Sequence, residues 1–125
     1  MSDMTAYHKW RPEFERALDP ALYTISWLDA QLWSGRAWFW GNGVAGIVAE
    51  LRHYPTGAID IHGLIAAGDP DEISSVLIPQ AEAWARSIGC VGAIIESRPA
   101  WARILKSRGY EPHQLAVRKE LTNQL

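Results

Sequence analysis

The stretch Ala58-Ile-Asp-Ile-His-Gly-Leu-Ile-Ala-Ala-Gly-Asp-Pro-Asp-Glu72 sets two hydrophobic periods back to back, and the fold is read from the change between them. From Ala58 to Ile65 the pattern is that of a strand: β-branched residues alternate with Asp60 and His62. Gly63 inside that run predicts a bulge or a close backbone approach. From Asp69 the period becomes helical, with Asp69 placed as N-cap, Pro70 at the first helical position and Glu72 placed for a capping box. Ile73, Val76, Leu77, Ala81, Trp84, Ala85 and Ile88 then form one apolar stripe that stops at Gly89. Pro79 is expected to kink this helix or divide it in two.

Working outward, Arg36 to Trp40 and Val44 to Arg52 are aromatic and β-branched runs either side of the Gly41-Asn42-Gly43 turn, which predicts a hairpin. A second turn at His53 to Gly57 leads into the strand at Ala58, giving a three-stranded antiparallel meander. Two helices are expected before it. The first runs from Tyr7 to Ala17, with Trp10, Phe14 and Leu18 at helical spacing and Pro12 in a first turn; the second is capped by Thr24, carries Ile25, Leu28 and Leu32, and ends at Ser34-Gly35. Downstream, Val91 to Ile95 is a continuous apolar run of the kind that sits centrally in a covered sheet. Ser97-Arg98-Pro99 opens a helix reaching Arg108-Gly109, and a last strand is expected from Gln114 to Leu121. The pattern predicts an α/β (α+β) fold, a central mixed sheet with an antiparallel meander flanked by helices, in a single domain over 1–125.

Composition narrows the function classes. A chain of 125 residues is the size of one domain, which argues against separate cofactor and substrate halves. Twelve Lys and Arg against 14 Asp and Glu leave a net charge of -2, without the basic excess that nucleic acids or anionic membranes attract. Cys90 is the sole cysteine, which excludes an intramolecular disulfide and any cysteine-based metal cluster; with no activating neighbour in sequence it reads as a packing residue. His8, His53, His62 and His113 show no helical i, i+4 pairing, so no metal site is expected. With no apolar leader and no bilayer-length run, a cytoplasmic protein is expected.

The order helix, helix, three antiparallel strands, helix, strand, helix, strand resembles the GCN5-related N-acetyltransferase fold. Trp101-Ala-Arg-Ile-Leu-Lys-Ser-Arg-Gly109-Tyr110-Glu111 is similar to that family's late helix, which stops at a glycine before an aromatic, and Val117-Arg-Lys-Glu-Leu121 resembles its closing strand. Ile65-Ala-Ala-Gly-Asp69, Ala83-Trp84-Ala85-Arg86, Gly89-Cys90 and Trp101-Ala-Arg103 resemble small acetyltransferase-like proteins encoded by tailed phages and prophages, which leaves virion association open. The resemblance implies transfer of an acetyl group from acetyl-CoA to an amine, the amine unknown, with the donor bound along Leu64, Ile65, Ala66, Gly68 and Asp69. It also exposes two departures. Where the family holds a diphosphate on a glycine-rich loop, Asp69, Asp71 and Glu72 set three carboxylates and Pro70 removes a donor. Where the family often has an acidic tyrosine, this chain has Leu105, and Arg98 falls near the family's frequent asparagine.

A base must take the acceptor's proton, and the polar residues on the two central meander strands are Glu50, Asp60 and His62. Glu50 and Asp60 are read as cross-strand neighbours around the turn, able to share a pocket; the competing reading is a solvated strand face, with His62 structural. Trp38 and Trp40 share one strand face and Phe39 the other, so one face must expose or cover a large aromatic area, and a homodimer through that hairpin is one expectation. The alternative to an enzyme is an interaction or virion-assembly module that binds a protein partner and has kept the fold without a working cofactor site.

Overall fold

The alternation in the middle of the chain becomes a meander of β1 (Ala37–Gly41), β2 (Ala45–His53) and β3 (Ile59–Gly68), each antiparallel to the next. The computed structural model describes residues 4–121. Asn42 makes the first turn: its side-chain oxygen accepts from the amides of Val44 and Ala45 at 2.8 and 3.1 Å, the local bonding expected of asparagine. Two helices precede the sheet, α1 (Met4–Ala17) and α2 (Ile25–Trp33). Thr24 caps α2 as its position foretold, accepting from the Trp27 amide at 3.1 Å. Pro12, expected in a first turn, lies in the interior of α1 because the helix begins earlier, at Met4.

The helical run after β3 is divided, as Pro79 led one to expect, into α3 (Pro70–Glu72), a π-helical segment (Ile73–Leu77) and α4 (Ile78–Ser87). Pro79 has no amide to give, and the hydroxyls of Ser74 and Ser75 both donate to the Asp71 carbonyl, which loosens the preceding turn until Ile78 bonds back to Ile73. The capping box at its start is only half formed. Asp69 accepts from the Glu72 amide at 3.0 Å, but the Glu72 carboxylate accepts from Asn42 Nδ2 at 2.8 Å instead of reaching back. The crossover returns the chain as β4 (Gly92–Ile95), parallel to β3, and α5 (Pro99–Lys106) follows.

The sheet order is β1-β2-β3-β4, a mixed sheet covered on both faces. On one side Phe39 and Val48 pack with Tyr7 and Phe14 of α1 and Leu28 of α2. On the other, Trp40, Ile47 and Ile61 pack with Leu77, Ala81, Ala85 and Leu105. Both faces of β1 are therefore filled by the chain itself: Phe39 is 1% exposed, and the Trp38 and Trp40 rings lie 4.8 and 5.4 Å from that of Trp84. The hairpin offers no open aromatic face for a second copy.

Two expectations fail at the C-terminal side. Val91 to Ile95 was read as a central strand, but β4 is an edge strand with half-buried residues, because nothing pairs beyond it among the described residues. The expected last strand, Gln114 to Leu121, is not formed: residues 111–121 carry no regular structure, and Leu115, Val117 and Leu121 are 85–88% exposed. Alternation makes a strand only where an edge receives it, and this segment lies clear of β4.

Candidate active site

β3 outlasts its parallel neighbour. The two strands pair only from Asp60 against Gly92 to Gly63 against Ile95, after which β3 continues to Gly68 and the other chain turns away into α5. On the β2 side Val48 faces Ile65 while Ala49 faces Gly63, so Leu64 is an extra residue, the bulge that Gly63 announced. Beyond it, the edge of Leu64 to Ala66 that faces away from β2 has no strand opposite. A cavity of about 750 Å3 fills the divergence and passes through the sheet, from Arg16 and Ala17 at the end of α1 to Ile78, Ala81, Trp101 and Leu105 on the other side. Its walls include Leu64, Ile65 and Ala66 on one lip and Ile95, Glu96, Ser97 and Arg98 on the other.

At this opening four polar side chains form one network. Antiparallel register sets Glu50 opposite His62, and alternation turns both toward the α1 face. His62 is buried, at 7% exposure, with Nδ1 2.8 Å from Glu50 Oε2 and Nε2 2.9 Å from Glu96 Oε1. Arg52 donates to the same Glu96 oxygen at 2.7 Å and lies 3.2 Å from His62 Nε2. A carboxylate cannot donate, so Nδ1–H donates a hydrogen bond to Glu50, which fixes the ring. Nε2 then has a partner in either protonation state: its lone pair accepts from Arg52, and its N–H donates to Glu96. The Arg52 guanidinium, with a smaller contribution from His62, holds the Glu96 carboxyl below the usual carboxylate range. Glu96 is the member that reaches the cavity wall.

Asp60 stands apart from this network. Its cross-strand partner is Arg52, not Glu50, so the shared Glu50–Asp60 pocket does not form. Its carboxylate accepts from the Tyr54 hydroxyl at 3.0 Å and lies over Gly92, where an added Cβ would meet Oδ1 at 2.6 Å. Gly68 and Asp69 lie at the far end of β3, where Asp69 N–H donates to the Val44 carbonyl at 3.1 Å and its carboxylate covers the Glu72 amide. Of the loop donors a diphosphate would use, one is absent at Pro70 and two are already bonded within the chain. The acyl end of acetyl-CoA thus fits the opening along Leu64 to Ala66, whereas the diphosphate end does not fit residues 68–72.

Glu96 does not stand out in the sequence because the parallel register that aligns β3 with β4 depends on a helical crossover, and Arg52 of β2 gains its role only through the bond to Glu96. Only the position of Glu96 directly after the apolar run hinted at it. Tyr110, the aromatic after the glycine of the late helix, lines the cavity with its hydroxyl donating to Glu82 Oε2 at 2.5 Å; burial, then this bond, push its pKa well up, so it keeps its proton. Leu105 is buried in the core and Cys90 is half-buried, its thiol pushed up by burial. Among the described residues no cluster of three or more His, Cys, Asp or Glu is arranged to hold a metal ion, and no helix is long and apolar enough to cross a membrane.

No protein-family model matches the chain, and no curated protein matches it in sequence. Solved structures do match it in shape. A predicted acetyltransferase of Clostridium acetobutylicum, solved with acetyl-CoA, superposes with a TM-score of 0.72 at 10% identity, over 95% of this chain and 92% of that one. Glucosamine-6-phosphate N-acetyltransferase of Arabidopsis thaliana gives 0.71 at 9% identity, over 96% and 95%. A GCN5-related N-acetyltransferase of Ralstonia eutropha gives 0.68 at 19% identity, over 94% and 91%. The chain therefore has the fold of the acyl-CoA N-acyltransferases, at identities that carry its shape and leave its chemistry to its own residues.

Proposed function

We propose that the chain is an N-acetyltransferase that moves an acetyl group from a thioester, acetyl-CoA in the first instance, directly to an amine. One observation carries this reading: the edge of Leu64 to Ala66 that faces away from β2, beyond the end of β4, opens on the same cavity as Glu96, behind which His62 and Glu50 stand in line. The open edge of β3 supplies amide donors for the acyl oxygen, a fixed-dipole arrangement that stabilises charge developing there. Glu96, kept ionised by Arg52, receives the acceptor as its ammonium. The proton then leaves along Glu96 to the Nε2 lone pair of His62, while Glu50 holds the ring through Nδ1–H. Leu105 offers no acid to the departing thiolate and Tyr110 retains its proton, so the thiolate is protonated by solvent. A phage or prophage origin rests on short motif resemblances alone.

The test is calorimetric titration with acetyl-CoA and with acetyl-pantetheine, followed by thiol-release assays over a panel of amines. Saturable binding that needs the pantetheine arm, with amine-dependent thiol release, is the expected result. Absence of both at millimolar ligand would overturn the reading and leave a fold kept for partner binding.

A further inference from the structure

Among the described residues, the walls of the large cavity carry four charged side chains: Arg16, Glu82, Glu96 and Arg98. Three of them are engaged, Arg16 with Glu13, Glu82 with the Tyr110 hydroxyl, and Glu96 with Arg52 and His62. Among the described residues the Arg98 side chain has neither an ion pair nor a hydrogen bond, although two carboxylates share its cavity. Arg98 also stands where local forces would not choose it. It is the N-cap of α5, in extended backbone (φ -65°, ψ 150°), and makes no capping bond at a position where Ser, Thr, Asp or Asn would hold a first-turn amide. Its charge lies at the positive end of the helix dipole, with Pro99 next and no acidic residue in the first turn. A local rule broken on the wall of a cavity is the mark of a functional position.

We propose that Arg98 receives the carboxylate of the acceptor, so that the substrate is a small amino acid with its ammonium on Glu96 and its carboxylate on the guanidinium. This rests on the transferase reading and narrows its amine to a zwitterion. Glu96 and Arg98 are two residues apart on one lip, their Cα atoms no more than about 7 Å from each other, so the amine and the carboxylate they hold are separated by few bonds. A guanidinium takes a carboxylate with two parallel N–H donors, which fixes orientation as well as charge. The same charges count against other amines. Glu96 already faces Arg52, and Arg16 and Arg98 stand on the same cavity, so a polyamine would bring its second cation against guanidinium groups.

Thiol release from acetyl-CoA and from acetyl-pantetheine tests this, with glycine, L-alanine, β-alanine and γ-aminobutyrate each set against its own carboxamide, in the parent chain and in Arg98→Gln. For at least one pair the acid is expected to exceed the amide in kcat/KM by about tenfold or more in the parent chain. Arg98→Gln should remove that margin by raising the KM of the acid while the amide is unmoved; Arg98 is exposed, so the fold is spared, as circular dichroism will check. Amides that react as fast as the acids overturn the proposal and leave the transferase reading standing. So does a margin that survives Arg98→Gln, or transfer to spermidine or glucosamine but to none of the four acids. No thiol release with any amine overturns both.

Discussion

The two ends of the cleft along β3 are built in opposite ways. At the Gly63 end, Glu50, His62, Arg52 and Glu96 come from three elements, and every ring nitrogen has a partner whichever way the proton lies. At the Gly68 end, the carboxylate of Asp69 sits on the amide that an anion would use, and Glu72 is held by Asn42. The first end keeps one carboxylate of its network, Glu96, on the cavity wall; the second is already satisfied from within. A shared fold therefore preserves the opening between strands more firmly than it preserves what each lip binds.

The largest effect should come from the first end. His62→Ala is expected to lower kcat/KM for the amine by about 10²- to 10⁴-fold, the usual worth of a positioned acid or base. Glu96→Gln, which removes the partner of the ammonium and the carrier of its proton together, should raise the KM of the amine and lower kcat as well, and an unchanged rate in His62→Ala would break the contrast. At the other end, Gly68 has φ +101°, and an added Cβ would lie 2.5 Å from the Val44 carbonyl oxygen, so Gly68→Ala should destabilise by at least about 1–3 kcal/mol in urea unfolding. Asp69→Gly frees the Glu72 amide while weakening the cap by only a few tenths of a kcal/mol. Its affinity for acetyl-CoA should rise about tenfold, near the 1.4 kcal/mol lower end for a hydrogen bond to a charged group, with acetyl-pantetheine binding unmoved. Equal gains for both ligands would show that the loop is not what limits the diphosphate.

The smallest effect is on stability against acid. Asp29, held low first by its bonds from Arg11 and then by the Tyr7 hydroxyl, and Glu96, held low by Arg52, both have folded pKa values below their ordinary 3.8 and 4.5. The stability they contribute is present above those ordinary values and is lost as pH falls through the folded ones. Both side chains keep solvent contact, at 24% and 57% exposure, so each contributes less than about 1 kcal/mol. Urea midpoints taken downward through that window should fall less steeply in Asp29→Asn than in the parent chain.

The meander, the capped helix from Asp69 and the position of α5 were legible because each rests on local signals: alternation, an N-cap followed by proline, a terminal glycine. The bulge was legible too, because Gly63 interrupts a strand that has no other reason to hold glycine. Glu50 and His62 were found from alternation, but the residue between His62 and the cavity was not. Glu96 reaches His62 only through the parallel register of β3 and β4, which is fixed by the packing of Ile73 to Ala85 on the sheet and leaves no mark in either strand alone. Asp60 was misplaced for a related reason: the turn at Tyr54 to Gly57 sets a register that pairs it with Arg52, two residues away from the pairing expected. The last strand was legible as a pattern and absent as a structure, since edge pairing is a property of two segments.

The bulge at Leu64 also sets how easily this site is gained or lost over time. One extra residue on β3 makes Leu64 and Ile65 both face α1 and shifts the rest of the strand. Deleting that residue would restore an unbroken ladder against β2 and leave Ile65 and Ala66 opposite Val48 and Ile47, on the faces they already hold. No substitution produces that change. The bulge thus lies one codon's deletion from loss, whereas sequence drift that only exchanges residues will alter the chemistry of the lip long before it removes the extra residue.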